Sequence, residues 1–104
     1  MSDIRIDDLG DGRFSLHGNL TFRTASKALE LSRRLFSDHA SIEVDLADVD
    51  RGDSAGLALL LEWQSICKKA GKPLAMNGAP DSLLELARLC GAEKRLQLNG
   101  REAA

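Results

Sequence analysis

The stretch that most constrains the fold is residues 42–46. There Ile42, Val44 and Leu46 alternate with Glu43 and Asp45, between two stretches of helical period. A period of two puts successive side chains on opposite faces of a strand, so this run has one apolar face and one wet face. A strand entered from one helix and left through another is not joined to its neighbours by hairpins. It needs crossovers, which pair strands in parallel and lay helices against a sheet. Upstream, Ala28, Leu31, Leu35 and Phe36 share a face over residues 26–37, with Lys27, Glu30, Arg33 and Arg34 largely off it. Downstream, a longer helix is predicted from near Ser54 to Gly71, a glycine placed to end it, with Pro73 just beyond.

The rest of the chain extends this alternation. Ile4 and Ile6, then Phe14 and Leu16, alternate with polar residues on either side of Asp11-Gly12, which predicts an opening hairpin. Residues 18–23 read as irregular, with a short extended piece at 20–22, and residues 47–53 as an acidic loop containing Gly52. Residues 74–76 predict a short strand closed by Asn77-Gly78. Pro80 is placed to open a further helix. In it Ser82 and Glu85 have capping-box spacing, and Leu83, Leu86, Ala87 and Cys90 form an apolar face that runs to Gly91. Leu96 and Leu98 predict a last short strand. The predicted class is α/β, a mixed central β-sheet with helices packed on it. A chain of 104 residues suits a single domain over residues 1–104, with an ordered core at about 3–99 and a short C-terminal tail.

Composition excludes several function classes. With 43% hydrophobic residues and a net charge of −2, the chain is neither a disordered segment nor a basic nucleic-acid binder. The apolar run 57–61 is far short of the ~20 residues a membrane helix needs. The first eight residues carry Asp3, Arg5, Asp7 and Asp8 and no apolar run, so no signal peptide and a cytoplasmic location are expected. Cys67 and Cys90 sit among apolar residues in helical segments and are expected as buried free thiols, with neither a disulfide nor a zinc site. His17 and His39 read as surface or packing residues rather than general bases. Asp45, Asp48, Asp50 and Asp53 lack the spacing and terminal Glu of a calcium loop, and no phosphate-binding glycine loop is present. No catalytic residue, metal or cofactor is therefore expected.

Residues 50–63 stand apart. Asp53 or Ser54 can accept hydrogen bonds from the free N–H groups of a helix start, and Asp50 and Asp53 suit the positive end of the helix dipole. Gly56 in the first turn costs helix stability, which makes sense if another backbone approaches closely. On a helical wheel of roughly 100° per residue, Gly56, Leu59, Leu60, Trp63, Ile66, Cys67 and Ala70 gather on a core face, which makes Trp63 a core residue. Leu57 and Leu61 fall on a neighbouring flank with Gln64 and Lys68 and are expected to edge a docking surface with Ser54.

The pentapeptide Asp53-Ser54-Ala55-Gly56-Leu57 at a strand-to-helix junction resembles the Asp-Ser/Thr-x-Gly-Leu signature of STAS domains, and the element order matches that family over nearly the whole chain. The family includes anti-sigma-factor antagonists, cytoplasmic tails of sulfate transporters and a subunit of the Mla phospholipid transporter. In the phospho-switched antagonists the residue before this glycine is the phosphorylated Ser or Thr. Here it is Ala55, which has no hydroxyl, and Ser54 lies one residue earlier as the only candidate phosphoacceptor of the motif. The run from Leu57 to Trp63 is most similar to the Mla subunit. That resemblance implies a non-catalytic accessory subunit, active in outer-membrane lipid asymmetry. It would bind the ATPase subunit of an ABC transporter complex, support its assembly or activity, and lie peripheral to the inner membrane through that complex, without inserting. The alternative is an anti-sigma-factor antagonist that binds a kinase-type anti-sigma factor. The implied partner-binding residues are Asp53, Ser54, Ala55, Gly56, Leu57 and Leu61.

Overall fold

The structure, a computed structural model, describes residues 4–98 and residue 100. The tail expected beyond about residue 99 otherwise lies outside the described residues. Gly10, Asp11 and Gly12 all take positive φ and turn the chain between β1 (Arg5–Gly10) and β2 (Arg13–Leu20). Gly12 is required twice over. Its φ is +79°, and a Cβ there would lie 2.3 Å from the Ser41 carbonyl oxygen. β2 leads through α1 (Ala25–Phe36) to β3 (Ile42–Gly52), and β3 through α2 (Ser54–Lys69) to β4 (Leu74–Asn77). The sheet order is β1-β2-β3-β4, antiparallel between β1 and β2 and parallel for the other two pairs. Both crossovers step in the same direction across the sheet, so a common handedness lays α1 and α2 on one face. Phe14, Leu16, Leu20, Val44, Leu46 and Met76 point into that layer and are buried, with Ala28, Phe36, Leu60 and Trp63 above them. On the opposite face Arg5, Asp45, Asp48 and Ala75 are exposed.

The chain departs from the sequence reading at several places. The predicted acidic loop is mostly the second half of β3, paired with β2 as far as Leu20↔Gly52. A register shift between Asp45 and Asp48 turns the strand by one residue, so that Val49 points inward although it is out of phase with Leu46. The irregular stretch is correspondingly short, because β2 reaches Leu20. The last strand expected at Leu96 and Leu98 is instead a helical turn, α4 (Glu93–Leu96), after α3 (Asp81–Leu89). Ala92 and Leu96 are the buried pair there, and their spacing of four belongs to a helix. Ser82 does not cap α3. Pro80 occupies the N-cap with extended backbone, and the Ser82 hydroxyl accepts the Gly52 N–H at 3.0 Å, fastening α3 to the end of β3. Cys67 is buried as expected, but Cys90 is exposed. It is the C-cap of α3, past the last turn that carries the buried Leu83 and Ala87 stripe.

Candidate functional site

Asp53 is the N-cap of α2 and organises the junction. One carboxylate oxygen, Oδ1, accepts the N–H groups of Ala55 at 2.9 Å and Gly56 at 3.1 Å. The other, Oδ2, accepts the N–H of Phe22 at 3.1 Å from the loop between β2 and α1. The Asp53 N–H in turn donates to the Leu20 carbonyl at 3.2 Å. One side chain thus ties the start of α2 to the end of β2. Burial pushes the Asp53 carboxyl upward, but the bonds from Phe22, Gly56 and Ala55 outweigh it and hold the group below its ordinary value. Gly56 packs so close to β2 that a Cβ would lie 2.1 Å from the Leu20 carbonyl oxygen. The close approach inferred from its place in the first turn is therefore real.

These contacts hold Ser54 in the open. It is exposed at the first position of α2, Ala55 beside it is half-buried, and the cap belongs to Asp53. Leu57 corrects the wheel reading. It is 3% exposed and part of the core cluster, because α3 and α4 pack beside α2 and widen its buried face beyond a single stripe. Leu61 is half-buried, about one turn further on. It lines a hollow of about 400 Å³ with Gln64, Ser65, Lys68 and Arg95. There the Gln64 side-chain amide donates to the Arg95 carbonyl of α4. The six residues singled out in the sequence therefore divide. Asp53, Ser54 and Ala55 form one surface corner, the buried Gly56 and Leu57 lie beneath it, and Leu61 belongs to a separate hollow.

Sequence reasoning passed over the loop that faces this corner. Thr24 Oγ1 accepts the Thr21 N–H at 2.9 Å and donates to the Asn19 carbonyl at 2.7 Å, which locks the turn after β2. Asn19, Thr21, Phe22, Arg23, Arg51 and Asp53 enclose a hollow of about 270 Å³. The available signal was Phe22 itself, a lone aromatic residue between polar neighbours in a non-helical stretch.

On the open face of the sheet, His17 bridges three strands. Its Nε2 lies 3.0 Å from Asp7 Oδ2 on β1 and 3.1 Å from Ser15 Oγ, and its Nδ1 lies 3.3 Å from Asp48 Oδ2 on β3. The Ser-His-Asp order has the look of a hydrolase triad. Ser15 is buried, however, and Asp7 competes for the nitrogen that would serve it as base, so the hydroxyl is not presented to a substrate. The set braces β1, β2 and β3. Among the described residues no group of His, Cys, Asp and Glu is arranged to hold a metal ion, and no helix is long and apolar enough to cross a membrane.

Comparison with known proteins places this geometry. The family model described as "Mlab, STAS domain" matches residues 7–99. Two curated relatives carry the name intermembrane phospholipid transport system binding protein MlaB, from Escherichia coli K12 and from Shigella flexneri. Each is 41% identical over 46 residues, which covers 44% of this chain and 47% of the relative. The match thus spans about half the length of those relatives. Among solved structures, a sulfate transporter family protein from Wolinella succinogenes superposes with a TM-score of 0.70 at 20% identity, over 94% of this chain and 83% of that one. The unphosphorylated anti-sigma factor antagonist SpoIIAA superposes with a TM-score of 0.71 at 12% identity, over 95% and 89%. These likenesses concern the fold. With the family model covering nearly the whole of the described sheet and helices, the chain belongs to the STAS domain family, in its MlaB-like branch.

Proposed function

We propose that this protein is a non-catalytic accessory subunit which binds the cytoplasmic ATPase subunit of an Mla-type phospholipid transporter, through the corner at the start of α2. The match to the MlaB-like branch over residues 7–99 carries this reading. The corner supplies what a docking site needs. Ser54 is exposed on a backbone fixed by the Asp53 cap, so little order has to be imposed when a partner arrives. Ser54 and Ala55 touch the partner, while Asp53, Gly56 and the buried Leu57 hold the surface in shape. Leu61, in its separate hollow further along α2, extends the contact. Ala55 has no hydroxyl, so binding takes place without the phosphorylation that governs anti-sigma-factor antagonists. The protein is cytoplasmic and reaches the inner membrane only through its complex.

The test is a binding titration between the unmodified protein, its mass checked intact, and the purified Mla-type ATPase subunit of the same host. A kinase-type anti-sigma factor serves as the competing partner. Ser54→Arg puts a long cation at the centre of the corner. It should weaken ATPase binding roughly tenfold or more. Its melting temperature should change little, because Ser54 is exposed and does not cap the helix. Wild-type protein that ignores the ATPase and binds the kinase would overturn the reading.

A further inference from the structure

Phe22 is 74% exposed in a loop whose backbone is fully anchored. Thr24 Oγ1 holds both Thr21 and Asn19, and the N–H of Phe22 itself is held by Asp53 Oδ2. A large aromatic ring kept in water on a rigid loop loses little entropy on contact and gains much by burial, the profile of an interface anchor. Two cations flank it. Arg23 and Arg51 line the hollow beside Phe22, are exposed, and form no ion pair among the described residues. The carboxylate in the same hollow, Asp53, already accepts three backbone N–H groups, so it leaves both guanidinium groups free.

We infer that Phe22, Arg23 and Arg51 form the second half of the partner surface, with Phe22 as its apolar anchor. The patch of the ATPase subunit that covers them is then acidic. This inference rests on the accessory-subunit reading and extends it. With Leu57 buried, the corner at Ser54 has no large apolar group of its own. Phe22, fastened to Asp53 across 31 positions of sequence, supplies one. The two arginines give the partner's sign, because charge complementarity steers encounter and rejects basic surfaces.

The experiment is the same ATPase titration at low and high salt, with melting curves for each variant. Phe22→Ala should weaken binding roughly tenfold or more, and the double variant Arg23→Glu, Arg51→Glu should do the same. The double variant should also lose most of the salt dependence seen for wild type, because the steering charges are gone. All three side chains are exposed, so the melts should stay near wild type. If Ser54→Arg weakens binding while Phe22→Ala and the double variant bind like wild type, this inference falls and the accessory-subunit reading stands. If wild-type protein does not bind the ATPase, both fall. Wild-type binding that strengthens with salt would overturn the acidic partner patch.

Discussion

Gly56 shows how one missing methyl group fixes the geometry of the site. Helix propensity alone would favour Gly56→Ala by about 1 kcal/mol. A Cβ there, however, would stand 2.1 Å from the Leu20 carbonyl oxygen, which is backbone in a paired strand and has little freedom to retreat. Overpacking of this kind costs about 1–3 kcal/mol, so the variant should show a lower urea midpoint despite its better helix former. An unchanged midpoint would mean that the end of β2 yields. The cap was legible in Asp53-Ser54 because it answers a local need of a helix start, and the close approach because a glycine in the first turn goes against helix propensity. Leu57 was not legible. A wheel assigns burial from one axis, whereas α2 is packed both by the sheet below and by α3 and α4 at its side. Phe22 was missed for the opposite reason. Nothing local shows that a turn residue is pinned by a carboxylate far along the chain.

At the scale of elements, the α1–α2 pair depends on a contact with no sequence signature. Trp63 is 1% exposed, as its place on the apolar face of α2 predicts. Its ring lies 5.5 Å from that of Phe36, which in turn lies 5.2 Å from Phe14. The indole N–H donates to Ser32 Oγ at 2.7 Å, and the Ser32 hydroxyl donates in turn to the Leu29 carbonyl at 2.8 Å. Ser32 is thus a polar residue inside α1 that is buried because it answers a polar atom on α2. Trp63→Ala should cost roughly 3–5 kcal/mol, the range for truncating a large aromatic side chain in a core. Ser32→Ala removes little volume but strands the indole N–H, and should cost about 1–3 kcal/mol. Trp63→Phe made in the Ser32→Ala background should then cost less than in wild type, since the stranded donor is gone. Equal costs in both backgrounds would show that the bond contributes nothing. The helices and strands with clean periods were readable. The α4 turn was not, because Leu96 and Leu98 mimic a strand period while the buried partner of Leu96 is Ala92.

At the scale of the whole molecule, the described residues form a sheet covered on one face, and the carboxylates divide accordingly. Asp7 sits on the open face, where the Arg5 guanidinium hydrogen-bonded at 2.9 Å is the main cause of its lowered pKa. Desolvation opposes that shift, and the charges of Arg5 and His17 add to it. Asp53 sits at the covered end, where burial pulls upward and three backbone N–H groups win. Both groups have folded pKa values below the ordinary 3.8. On the acid side of 3.8 the unfolded chain therefore binds more protons than the folded one, and stability rises with pH there. Their contribution is complete above that value and is lost as pH falls through each folded value. Urea midpoints measured down an acid series should drop below this point, and Asp53→Asn should flatten the drop more than Asp7→Asn. The partners of Asp53 are fixed backbone groups, whereas Arg5 and Asp7 form a solvent-exposed side-chain pair, the kind that is worth little and is screened by salt. Added salt should therefore erase the difference between Asp7→Asn and wild type while leaving that of Asp53→Asn. If Asp53→Asn keeps the wild-type acid slope, the Asp53 cap does not set the acid limit of this fold.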